Sequence, residues 1–166
     1  MALSKQLLKS LLLVAFEETK ADPGSNSLPL MSSQVADRLS KAYDSYAKSA
    51  MAGGMLIITV PGQQSSISSL LSSMPNMSGW GAGLVAYWGS IMFGGAGFIP
   101  TNPTIPVAAL GASAEISLLM PPNQMAQSED EFLEKLSTIL DSYTKLVQVT
   151  ATTTSVPPII AVLPIM

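Results

Sequence analysis

Three features of the sequence predict an α+β fold. Two charged amphipathic segments, 35–50 and 132–147, read as helices. Strand-like sequence rich in β-branched residues follows each of them. Between them, residues 49–114 carry no formal charge and are rich in Gly and Pro. The expected architecture is two related amphipathic helix–strand units joined by a long uncharged middle. It divides the chain into three stretches: 1–62 with N-terminal helices and a strand, 63–127 as an interface-forming middle, and 128–166 with a helix, a strand and an extended tail.

The two helical segments look like copies at an offset of 97 residues. Leu39 corresponds to Leu136, Ser40 to Ser137, and Lys48 to Lys145. The triplet Asp44-Ser45-Tyr46 recurs as Asp141-Ser142-Tyr143, and Asp37-Arg38 becomes Glu134-Lys135 with the charge order kept. The repeat predicts that Tyr46 and Tyr143 sit at equivalent places near a helix-to-strand transition. It also predicts that Leu39 and Leu136 point into matching apolar contacts.

In chain order, the first helix is expected over 2–20. Leu3, Leu7, Leu8, Leu11, Leu12, Ala15 and Phe16 share one face, and Lys5, Lys9 and Glu17 lie off it. A secretory leader is a competing reading, opposed by Lys9 inside the apolar run and by Glu17-Glu18 after it. Residues 22–27 are turn-like. A second helix starts near Ser32 or Ser33, with Val35, Leu39, Ala42, Tyr43 and Tyr46 on its apolar face. Asp37–Lys41 and Asp44–Lys48 are i,i+4 pairs in the favourable order. Gly53-Gly54 ends it, and 55–60 reads as a strand closed by Pro61-Gly62.

A short helix over 65–73 is stopped by Pro75. Another is expected over 79–93, where glycines at 79, 81, 83 and 89 permit close backbone approach. Residues 94–106 read as loops and extended chain. Residues 107–120 stay open between helix and strand, and Pro121-Pro122 ends them. Ser128 and Glu131 match a capping box for the last helix, whose apolar face is Phe132, Leu133, Leu136, Ile139, Leu140 and Tyr143. Residues 146–154 suit a strand. Residues 156–166 form an apolar tail that Pro157, Pro158 and Pro164 keep from being helical; such a tail calls for docking, by strand addition or otherwise.

Several chemistries lack their parts. The sequence has no Cys and no His, so disulfides, thiolate or imidazole zinc sites and imidazole general bases are excluded. The acids Glu129, Asp130, Glu131 and Glu134 lack the spacing of a calcium loop and read as a solvated helix start. Glu115 is a lone carboxylate without the partner that glycoside hydrolysis needs. The glycines at 94–97 and 79–83 fail the phosphate-loop and dinucleotide patterns. No basic stripe exists to meet nucleic acid. No cofactor, metal or catalytic residue is expected.

Hydrophobic residues make up 48% of the chain and charged residues 11%. About a quarter charged is usual, and a chain this poor in charge needs permanent contacts. The expected contact residues are Trp80, Trp88 and Phe93 in the middle, and Val156, Ile159, Ile160, Val162, Leu163 and Ile165 in the tail. The tryptophans also suit sugar or base stacking, but large apolar area at a core or contact centre is the plainer use.

The stretches 1–18, 35–50 and 55–62, an amphipathic helix pair followed by a strand, resemble small virion structural proteins of contractile-tailed bacteriophages. The resemblance covers about a third of the chain. It implies a non-enzymatic neck, tail or baseplate subunit, assembled in the host cytoplasm and bound to other virion subunits and to copies of itself. A membrane-associated or pore-forming protein, using 3–16 or 84–99, is the alternative; 84–99 is short of the roughly 20 apolar residues of a span. A hydrolase is a distant third.

Overall fold

A computed structural model describes residues 3–18, 33–58, 63–74, 77–119 and 128–166. The expected turn at 22–27 and the stops at Pro61-Gly62, Pro75 and Pro121-Pro122 lie outside these residues. The fold is α+β, with six helices and two small antiparallel sheets among the described residues. The helices are α1 (Lys5–Glu17), α2 (Ser33–Ala47), α3 (Ser65–Ser73), α4 (Trp80–Ser90), α5 (Gly111–Ser117) and α6 (Glu129–Thr144). A 3-10 turn, Val107–Leu110, leads into α5, so the stretch left open by its sequence is helical.

Helix α1 lies against both α2 and α6. Its Leu8, Leu12, Ala15 and Phe16 are buried, and Phe16 meets Phe132 of α6 edge-on at 5.7 Å. The same apolar face that suits a membrane surface is therefore spent inside the protein. Helix α4 packs on α3 and on the 3-10 turn before α5. A Cβ at Gly79 would stand 2.4 Å from the Leu70 carbonyl oxygen, and one at Gly81 would stand 2.7 Å from that of Leu110. Only glycine lets the helices approach so closely. No helix among the described residues is long and apolar enough to cross a membrane.

The strands are β1 (Met51–Ala52), β2 (Met55–Ile57), β3 (Phe93–Gly94), β4 (Gln148–Thr152) and β5 (Ile160–Pro164). The first three form one sheet, with β1 and β2 joined through Gly53-Gly54, both at positive φ as a tight hairpin requires. β4 and β5 form a second hairpin with Val149 opposite Leu163 and Ala151 opposite Ala161. Backbone pairs link the two sheets. Met51 and Met166 exchange hydrogen bonds of 3.0 and 2.9 Å. Phe93 pairs with Thr101, and Gln148 pairs with Thr104. The hydrogen bonds thus run in a closed circuit through β1, β2, β3, the 101–104 segment, β4, β5 and back to β1.

The repeat is visible in the backbone. α2 ends at Ala47 and α6 at Thr144, while β1 starts at Met51 and β4 at Gln148, so both boundaries recur at the 97-residue offset. The turns between them match bond for bond. Lys48, Ser49 and Ala50 amides reach the carbonyls of Asp44, Tyr46 and Ala47, as Lys145, Leu146 and Val147 reach those of Asp141, Tyr143 and Thr144. Side chains repeat too: Ser40 donates to the Asp37 carbonyl and Ser137 to that of Glu134, at 2.8 and 3.0 Å. Leu39 and Leu136 are both buried. Each unit is a helix followed by a hairpin rather than by a single strand. All three sequence stretches contribute to one apolar core.

Candidate functional site

The residues expected at an interface separate into two groups. Trp80, Trp88 and Phe93 have no exposed surface and belong to the chain's own core, which corrects their assignment as contact residues. Their area is used by an aromatic cluster: Tyr43 lies 5.7 Å from Trp80 and 5.5 Å from Tyr87, and Trp88 stacks on Phe93 at 6.3 Å. The polar ends of Trp88 and Tyr43 are satisfied in series, while the buried Trp80 Nε1 meets no acceptor among the described residues. Trp88 Nε1 donates to Tyr43 Oη at 2.9 Å, and Thr144 Oγ1 donates to the Leu140 carbonyl at 2.7 Å. Thr144 has one proton and that bond uses it, so Tyr43 is the donor in the 2.6 Å contact with Thr144 Oγ1.

Two buried carboxylates frame this relay at equivalent places in the repeat. Asp44 accepts from Tyr87 Oη at 2.8 Å and pairs with Lys48. Asp141 accepts from Tyr46 Oη and pairs with Lys145. Burial, first, and then the adjacent carboxylate push the Tyr46 and Tyr87 phenols far above their ordinary range, so both stay protonated donors. Each carboxylate has its charge neutralised by an i,i+4 lysine, and each of its two oxygens accepts a hydrogen bond. This is a locked lattice in which both carboxylates and both phenols are engaged. The sequence pattern contained a signal for it: the same Asp-Ser-Tyr triplet adjoins the apolar face of both helices.

The acidic start of α6 is likewise engaged. Ser128 Oγ accepts from the Glu131 amide at 3.2 Å, which caps the helix. Glu134 bonds Lys5 and Lys9 of α1, Asp130 bonds Lys9 at 2.8 Å, and Glu131 bonds Lys135. Glu115 accepts from Tyr143 Oη at 2.6 Å. An apolar groove of about 290 Å³ lies between α5 and α6 and is lined by Leu118, Leu119 and Ile139, with Glu115, Glu134 and Lys135 at its rim. Both of its carboxylates are held in the bonds just described.

The tail behaves differently from the middle. Ile165 is buried and Leu163 packs on the core beside Gly53, so these two also serve the chain's own fold. Val156, Ile159, Ile160 and Val162 are exposed, from 60% for Val162 to 96% for Val156. The tail is therefore ordered and extended through pairing with β4 of its own chain.

Its outer edge is open. Thr153 donates to the Ile159 carbonyl and Ile165 to that of Val147, so odd-numbered tail residues point their backbone groups at β4. Alternation then turns the amides and carbonyls of Ile160 and Val162 outward. Among the described residues nothing pairs with them. The far edge of β4, by contrast, is covered: Ile99 donates to the Thr152 carbonyl and Thr154 to that of Gly97. An exposed apolar strand with an unpaired edge is a template for another extended chain, and proteins normally blunt such edges with charge. Residues 146–166 carry none. No protein-family model, curated protein or solved structure matches this chain.

Proposed function

We propose that the chain is a non-enzymatic structural subunit of a large protein assembly, a bacteriophage tail, neck or baseplate being the setting to which its sequence resemblance points. The observation that carries this reading is the uncharged open edge of β5, with Ile160 and Val162 presented to solvent. A free protein gains nothing from leaving such an edge bare, whereas a subunit covers it by strand addition. The carboxylates and tyrosines described above are engaged with one another and with lysines, which suits a structural role. The apolar faces of α1 and α4, on which a membrane reading relies, are packed within the core.

The test is sedimentation of the epitope-tagged chain from its native source, with electron microscopy of the particles that carry the tag. The reading expects the tag in a large protein particle, located at a tail or neck. A chain that sediments as a single subunit under all conditions overturns it, and flotation with liposomes in place of protein favours the membrane alternative.

A further inference from the structure

The occupant of the open edge is the remaining question, and the tail sequence is built for one in particular. We infer that β5 pairs with β5 of a second copy, antiparallel about a two-fold axis through Ala161. The inference rests on the assembly reading above and names the partner for its edge.

The outward backbone groups belong to Ile160 and Val162. In an antiparallel pair, residues that exchange both hydrogen bonds stand directly opposite each other. Setting Ile160 opposite the second copy's Val162 forms two such bonds, and symmetry forms two more. Ala161 then faces its own copy at a non-hydrogen-bonded position. One step further out on each side, Pro158 meets Pro164. Both prolines lie three residues from Ala161, and neither has an amide to leave unpaired. The ladder is therefore bounded at both ends in this register. Shifting it by two residues would set Val162 opposite Pro158 or Ile160 opposite Pro164, whose carbonyl still accepts but which has no amide to return, so a Val162 or Ile160 carbonyl would lose its donor.

Three further features agree. Past Pro164 the edge is already occupied, because Met166 pairs with Met51, so the open window runs from 160 to 164 and matches the proline spacing. The strand is uncharged, so self-pairing brings no like charges together. Ile160 against Val162 is an aliphatic β-branched pair on both sides of the axis, and the small Ala161 sits where the backbones come closest, about 4.5 Å between Cα atoms. Four hydrogen bonds and two side-chain pairs make a small contact, below the roughly 1,200–2,000 Å² of a stable free dimer. The pairing is thus weak on its own and suited to subunits that other contacts already hold together.

The chain has no cysteine, so single thiols can be placed cleanly. Oxidation of full-length Ala161→Cys, Ile160→Cys and Val162→Cys at high protein concentration is the test. Only position 161 meets itself within disulfide reach; positions 160 and 162 lie a diagonal apart from their copies, beyond about 7 Å. Ala161→Cys is expected to give covalent dimer about ten times faster than either neighbour. Adding Val162→Pro, which removes an outward amide without touching the β4 ladder, should slow that trapping; amide protection at Val149 and Ile165 reports that the hairpin still folds. Equal trapping at all three positions, no dimer from Ala161→Cys, or indifference to Val162→Pro overturns the pairing. Failure here with the tag still in a particle leaves the assembly reading standing and assigns the edge to another chain. Trapping at 161 with no particle keeps the pairing and removes the assembly.

Discussion

The two helix–hairpin units start from the same pattern and end in different places. In the first, α2 leads to a short hairpin whose turn is two glycines, and its strands are hydrogen-bonded on both sides within the circuit. In the second, α6 leads to a hairpin with five paired positions whose last strand keeps a bare edge. The helices share their end-turn bonds, the Ser40 and Ser137 bonds and the Asp44–Lys48 and Asp141–Lys145 pairs, and the larger divergence lies in the hairpins. A duplicated unit can hold the core with one copy and present a surface with the other, because the helical part satisfies burial in both.

The largest test of that division removes the second hairpin's outer strand. Deleting 156–166 takes away β5, the Met51–Met166 pair and the buried Ile165, whose burial alone is worth about 1.5–3 kcal/mol. The deletion should lower stability by more than that figure and strip amide protection from β4 and from Met51, while α2 and α6 keep theirs. If the first hairpin stays fully protected, the circuit is not a shared structure and the comparison fails.

Next come the matched leucines. Leu39→Ala and Leu136→Ala each empty a fully buried site and should cost about 2–5 kcal/mol in urea unfolding. If the units are equivalent in packing, the two losses agree to within about 1 kcal/mol. A loss at only one site would mean that the copies share sequence without sharing a structural role.

The repeat and the helices other than α5 were legible because charge and 3.6-residue spacing are local signals, whereas the stretch that forms α5 carries the single charge of Glu115 and is open between helix and strand by its sequence. Ser128, the i,i+4 pairs and the shared Asp-Ser-Tyr triplets lie within a few residues of the groups they meet, or recur in register. Trp80, Trp88 and Phe93 were misassigned for a physical reason: composition reports that apolar area must be covered, not whose surface covers it. The polar and aromatic partner of Trp80 and Trp88, Tyr43, lies far away from them in sequence, and Thr144, which Tyr43 bonds in turn, lies farther still. The open edge was also hidden. The sequence indicated an extended apolar tail, but which backbone groups face outward depends on the register with β4.

The repeat's tyrosines sharpen the contrast at an intermediate scale. Tyr46 and Tyr143 occupy the same position, one residue before the helix end, yet Tyr46 is buried on Asp141 and Tyr143 bonds Glu115 beside the α5 groove. Tyr46→Phe leaves a buried carboxylate short of a donor and should cost about 1.5–3 kcal/mol. Tyr143→Phe loses a bond open to water and should cost under about 1 kcal/mol. Comparable losses at the two positions would show that the outer bond is sequestered as well.

The smallest difference is electrostatic and concerns Asp37 and Glu134, again equivalent in the repeat. Asp37 pairs with Lys41 on its own helix at 2.6 Å. Glu134 reaches across to Lys5 and Lys9, and the hydrogen bonds from these lysines, Lys5 first, hold its carboxyl below the ordinary 4.5. A carboxylate depressed by folding stabilises the protein above its unfolded value, and that contribution is lost as pH falls through the lowered one. Lys9, raised from 10.5 by Asp130 and then Glu134, contributes below 10.5 and loses its share as pH rises past the raised value. The α1–α6 clasp is therefore constant through neutral pH and weakens only below about 4.5 or above about 10.5. Glu134→Gln should lower the urea midpoint slightly at pH 7 and flatten the loss of stability in the acid range. It should do so less in high salt, since exposed pairs are screened. Asp37→Asn breaks a pair within one helix and should move the neutral midpoint less. If the two substitutions behave alike, the cross-helix reach of Glu134 adds nothing beyond a local pair, and the second unit's helix is no more tied to α1 than the first unit's is to its own lysine.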